Sequence, residues 1–76
     1  MKYKIQTKGG NVPGWPYVIE FIDARGNVLG KKRLKDIEED GNPEPDDYMD
    51  KATALNAYRG IVYDHKGNEI SDILIK

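Results

Sequence analysis

The chain has 76 residues, a third of them charged, with twelve basic and thirteen acidic side chains for a formal net charge of −1. A chain of this length forms one domain, residues 1–76, and buries only roughly 60% of its unfolded surface, so there is room for a single core. The absence of cysteine excludes a disulfide framework and a thiolate metal site, and no apolar run approaches the roughly 20 residues of a membrane span.

The expectation is a soluble, cytoplasmic protein with no membrane association. The near-neutral total hides an asymmetry. Residues 1 to 35 carry eight basic residues against Glu20 and Asp23, a balance of +6, whereas residues 36 to 76 carry four against eleven acids, a balance of −7. Such a split either gives the molecule a basic and an acidic face or is cancelled where the halves interleave in space.

In chain order, Tyr3, Ile5 and Thr7 alternate with Lys2, Lys4 and Gln6, the pattern of a first strand with one buried face. Residues 9–14 break it, and Trp15-Pro16 leads into a second strand from Tyr17 to Asp23. The segment Asp23-Ala24-Arg25-Gly26-Asn27 then reads as a hairpin turn: the Asp carboxylate accepts bonds from the amides ahead, and Gly supplies the positive φ that closes a type I turn with a bulge. Unbroken pairing beyond it sets Ile22 opposite Val28, Phe21 opposite Leu29, Ile19 opposite Lys31 and Tyr17 opposite Arg33. That register predicts a core face of Tyr17, Ile19, Phe21 and Leu29, shared by Lys31, Arg33 and Lys35, and a mixed face with Val18, Glu20, Ile22, Val28 and Lys32.

An acidic connector follows, from Asp36 to Asp47, rich in Glu38, Glu39, Asp40, Glu44, Asp46 and Asp47. Pro45-Asp46-Asp47 has the composition of a helix start with an Asp N-cap, and Tyr48, Ala52 and Leu55 recur at helical spacing, so a helix is predicted from there to about Ala57. A second hairpin spans Tyr58 to Asp64 and Glu69 to Ile75 around Asp64-His65-Lys66-Gly67-Asn68. It aligns with the first, residue for residue, at an offset of 41 positions. An internal duplication explains this, and so does turn chemistry acting on unrelated hairpins.

Two likenesses attach to these residues. The tract Tyr63-Asp64-His65-Lys66-Gly67-Asn68 resembles one unit of the tyrosine-aspartate repeats of Rhs-type shells, which run in long arrays. The order of aromatic strand, Asp-x-x-Gly turn, basic strand and helix over residues 15 to 57 is similar to the arm-type DNA-binding domains of integrases, which implies a sheet lying in the DNA major groove. The acidic connector and the second hairpin depart from that layout, and no family is assigned.

Three surfaces are candidates for function. The run Lys31, Lys32, Arg33 and Lys35 with Trp15 has the cations and the aromatic of a nucleic-acid site, and equally the lysines that guard an edge strand against aggregation. The connector offers many carboxylates but lacks the ligand spacing of an EF-hand loop, so a solvated acidic loop is expected, with no metal and no cofactor. The second hairpin is apolar on both sides: Tyr58, Val62, Ile70 and Leu74 on one, Ile61, Tyr63, Ile73 and Ile75 on the other. Either the sheet closes on itself to enclose the second set or that set is a patch awaiting a partner or a copy of the chain.

His65 sits at a turn tip, Ser71 is the only serine, and no nucleophile motif or phosphate-binding loop is present, so no enzyme is expected. The reading is an α+β domain ordered strand, hairpin, helix, hairpin, with an SH3-like barrel or sandwich as the alternative. The expected function is a non-enzymatic protein-binding module, of the accessory or phage-type inhibitor or adaptor kind. It would bind through the acidic connector or through the apolar face with Ile61, Tyr63 and Ile73, and its partner is a protein, either an unrelated one or a second copy of itself. The alternative is a nucleic-acid-binding domain using Trp15 and the basic strand.

Overall fold

The computed structural model describes residues 14–76, and the strand expected at Tyr3 to Thr7 lies outside the described residues. Four strands, β1 (Tyr17–Ile22), β2 (Val28–Leu34), β3 (Arg59–Tyr63) and β4 (Glu69–Leu74), form one antiparallel sheet in the order β2-β1-β3-β4. A single 3-10 turn (Pro45–Asp47) and a short helix, α1 (Met49–Ala54), lie between the hairpins. The fold is α+β with an open sheet, so the barrel alternative does not hold among the described residues: β2 and β4 are edges.

Both hairpin turns are built as their residue types dictate. Asp23 Oδ1 accepts the amides of Arg25 and Asn27 at 2.9 Å, and the Asn27 side-chain amide donates to Oδ2 at 3.1 Å. Asp64 repeats this with Lys66 and Asn68 at 2.9, 2.9 and 3.2 Å. Gly26 and Gly67 take φ values of 90° and 85°, where a side chain would strain the backbone.

The equivalence runs deeper than the turns. Ile22 pairs with Val28 but Phe21 pairs with Gly30, leaving Leu29 as an extra residue in β2. Tyr63 pairs with Glu69 but Val62 with Ser71, leaving Ile70 extra in β4, again 41 positions on. In the central ladder Glu20 faces Ile61, themselves 41 apart, and the pairing runs symmetrically to Ile22↔Arg59 and Val18↔Tyr63. The hairpins are therefore related by an approximate two-fold axis normal to the sheet through the Glu20–Ile61 pair.

These bulges correct the expected faces. Side chains alternate with period two along a strand, so one inserted residue moves everything beyond it to the other side. Gly30, Lys32 and Leu34 lie on the face of Ile19 and Phe21, and Lys31 and Arg33 lie opposite, the reverse of the expectation. Ile73 and Ile75 pack against the core, whereas Leu74, expected inside, is 65% exposed.

The core lies on one face. Ile19, Phe21, Leu34 and Val62 are fully buried there beneath Tyr48, Ala52 and Ala57. The helix lies over β2, close enough that a Cβ on Gly30 would stand 3.0 Å from Leu55 Cδ1. It is shorter than predicted and starts later. Tyr48 turns into the core at 5% exposure and takes φ −136°, which interrupts the helical path after Asp47, so α1 begins without a side-chain cap and neither Asp46 nor Asp47 is its N-cap. Asn56 at φ 57° ends it, with the Ala57 amide reaching back to the Ala52 carbonyl at 2.9 Å. No described helix is long and apolar enough to cross a membrane.

Candidate functional site

No described helix or connector packs over the other face of the sheet. The pairing sets its side chains in three rows across the strands in the order β2, β1, β3, β4. Arg33, Val18, Tyr63 and Glu69 form the first row. Lys31, Glu20, Ile61 and Asp72 form the second, and Val28, Ile22, Arg59 and Leu74 the third. The β2 rim is basic, the β4 rim is acidic, and the interior columns hold most of the apolar side chains.

Within this lattice, Arg59 Nε donates to Asp72 Oδ1 at 3.0 Å and the two side chains form an ion pair. The Arg59 bond holds the Asp72 carboxyl below its ordinary value. Burial pushes the Tyr63 hydroxyl above its ordinary value, and the Glu20 carboxylate that it faces adds to the shift. Val28 is 55% exposed, Val18, Ile61 and Tyr63 are half-buried, and Ile22 is buried. Of the expected apolar set, Ile61 and Tyr63 share this face and Ile73 does not.

The basic strand builds a different feature. Trp15, Lys32, Arg33 and Lys35 line one cavity of about 220 Å³ with Leu34, Asp36 and Asp47. Lys31 is not part of it. Lys32 Nζ donates to the Asp47 carbonyl, and Arg33 Nη1 to the Trp15 carbonyl at 3.5 Å. Four of the five residues expected to act on nucleic acid are thus brought together, beside two carboxylates that oppose a phosphate.

The acidic connector has more local order than its composition suggests. Glu38 N donates to the Asn42 carbonyl at 2.7 Å, Gly41 N to the Glu38 carbonyl at 2.9 Å, and Gly41 takes φ 88°. This is the hairpin-turn geometry a third time, in Glu38-Glu39-Asp40-Gly41-Asn42. Here Asp40 Oδ1, not the first residue, accepts the Asn42 amide at 2.9 Å. The shared Gly-Asn ending is the signal in the sequence that points to it. Asn42 also accepts the Ser71 hydroxyl, which ties the connector to β4.

Glu38 and Glu44 lie against each other, and repulsion from Glu38 raises the Glu44 carboxyl above its ordinary value, with smaller contributions from Asp46 and Asp47. Glu38, Glu39, Asp40, Glu44, Asp46 and Asp47 are all exposed. Among the described residues no group of three or more His, Asp or Glu side chains is placed to hold a metal ion.

No protein-family model, curated protein or solved structure matches this chain. The site therefore stands on its own geometry. What sequence reasoning missed is that the charged residues on the open face are ordered by column, basic at one rim and acidic at the other, and this order appears only once the two bulges are placed.

Proposed function

We propose that the protein is a non-enzymatic, cytoplasmic protein-binding module of the accessory, inhibitor or adaptor kind, and that its contact is the open face of the sheet. The observation that carries the reading is that face itself. It is the one broad surface of the described fold with no layer over it, and it joins apolar interior columns to charged rims, the composition of a non-obligate interface. The acidic connector lies on the helix side and supplies a second, weaker contact for a basic partner.

The test is a photo-crosslinking amino acid at position 61, compared with one at His65 on an exposed turn tip. Protein adducts from position 61, absent from position 65, are expected. Adducts that are nucleic acid, or none above the His65 control, would overturn the reading.

One observation favours a second reading, nucleic-acid binding: Trp15, Lys32, Arg33 and Lys35 line a common cavity. Labelled single-stranded and duplex oligonucleotides titrated at rising salt test it, because phosphate contacts make log affinity fall linearly with log salt. Absence of binding at low salt removes it.

A further inference from the structure

We propose that the open face binds a second copy of this chain, face to face, about a two-fold axis that runs parallel to the strands between β1 and β3. The inference rests on the reading of this face as a protein-binding surface and names its partner. The columns decide it. A rotation about that axis turns one sheet over and exchanges left for right, so β2 of one copy lies above β4 of the other and β1 above β3, while each row stays above its own counterpart.

Lys31 then meets Asp72 of the second copy and Arg33 meets Glu69, while Val28 meets Leu74 and Val18 meets Tyr63. Each contact occurs twice, as an isologous interface requires. The basic rim of each copy covers the acidic rim of the other. Two of the interior contacts, Glu20 above Ile61 and Ile22 above Arg59, are mixed. Glu20 already faces the Tyr63 hydroxyl and Arg59 already pairs with Asp72 within the copy, so neither charge depends on the interface for a partner.

The competing arrangements fail on the same charges. A two-fold axis in the sheet plane but across the strands sets Lys31 above Lys31 and Asp72 above Asp72. Joining two sheets edge to edge through β2 brings the basic column of Lys31 and Arg33 against that of the other copy, and joining through β4 does the same for the acidic column of Glu69 and Asp72. Like charges brought together in an interface cost affinity and suppress those alternatives.

The test is sedimentation equilibrium of the full chain over a wide concentration range, with two variants of opposite sense. The wild type is expected to rise from the mass of one 8.6 kDa chain to that of two. Lys31→Glu alone and Asp72→Lys alone each turn two attractive contacts into repulsive ones and weaken association by about tenfold or more. Mixed in equal amounts they associate, because the introduced glutamate of one variant then faces the introduced lysine of the other, and the Lys31 and Asp72 that each variant retains face each other across the axis.

If Lys31→Glu associates more strongly with the wild type than the wild type does with itself, the axis across the strands is correct and the proposal falls. A wild type that stays monomeric throughout also overturns it. In that case protein adducts from position 61 would leave the binding-module reading standing, and their absence would remove both. The pair Arg33→Glu and Glu69→Lys replaces Lys31→Glu and Asp72→Lys if circular dichroism shows that losing the Arg59 pair unfolds the chain.

Discussion

The two hairpins share a turn, a bulge and a place in a symmetric sheet, yet they hold the molecule together to different degrees. β1 carries Ile19 and Phe21 in the core and β2 adds Leu34, all fully buried, whereas β3 and β4 add only Val62 at that level. The difference follows from what covers them. The helix lies over β2, where Leu55 meets Gly30, while β4 is met on the same face by the connector at Asn42 and Ser71. Equivalent backbones have become a core half and a half whose apolar surplus faces outward. A turn sequence therefore fixes where the chain reverses, and the layer above the sheet fixes how much each hairpin contributes to stability.

The largest expected effect tests that inequality. Phe21 and Val62 occupy corresponding positions in the two hairpins, and both are fully buried. Phe21→Ala is expected to cost about 3–5 kcal/mol and Val62→Ala about 2 kcal/mol, from lost apolar transfer plus the cavity left behind. Denaturant unfolding of both variants measures this. Equal losses would mean that the second hairpin carries as much of the core as the first.

Much of this layout is legible in the sequence. The turn residues, the 41-residue offset, the helix after the connector and the core positions Ile19 and Phe21 all follow from local rules. The faces beyond the turns are not legible in the same way, because an uninterrupted register fails at Leu29 and Ile70. Gly30 is the available signal, since a glycine inside a strand marks a bulge or a close approach, and here it marks both. Its counterpart in the second hairpin is Ser71, which carries no such signal. The helix start is misplaced for another reason: the local preference of Pro45-Asp46-Asp47 yields to the burial of Tyr48. In the candidate site, apolar character alone picks out Ile61 and Tyr63, but the charge order around them depends on long-range pairing that no local pattern encodes.

A smaller effect sharpens the equivalence of the turns. Gly26 and Gly67 both hold a positive φ, and a Cβ on either would meet nothing within 4 Å, so replacing them by Ala strains only the backbone. Each variant is expected to lose about 1–2 kcal/mol. The central pairing places the two turns at opposite ends of the sheet, so the double variant should lose the sum. Chemical denaturation that showed one turn indifferent to the change would separate the hairpins at the point where they look most alike.

The smallest effect concerns the carboxylates and divides three turns into two kinds. In the first hairpin the Asn27 amide, assisted by its side chain, holds the Asp23 carboxyl below its ordinary value. Burial pushes the Asp64 carboxyl up, but the bonds from Asn68 and Lys66 outweigh it and the net direction is again down. A carboxyl lowered on folding binds its proton less readily in the folded state. Its contribution to stability is present above the unfolded value of about 3.9 and is lost as pH falls through the folded value. In the connector turn the sign is reversed. Glu38 faces Glu44 and raises it, so the folded state takes up a proton more readily there, and the repulsion is relieved as pH falls through the raised value. Thermal midpoints measured from neutral pH down to about pH 2 should therefore separate them. Asp23→Asn and Asp64→Asn each keep an oxygen to accept the turn amides and should flatten the acid-side loss of stability by similar amounts, whereas Glu44→Gln should raise the midpoint at neutral pH and lose that advantage on acidification. An acid dependence left intact in the Asp23→Asn, Asp64→Asn double variant would show that the turn carboxylates close the hairpins by geometry alone.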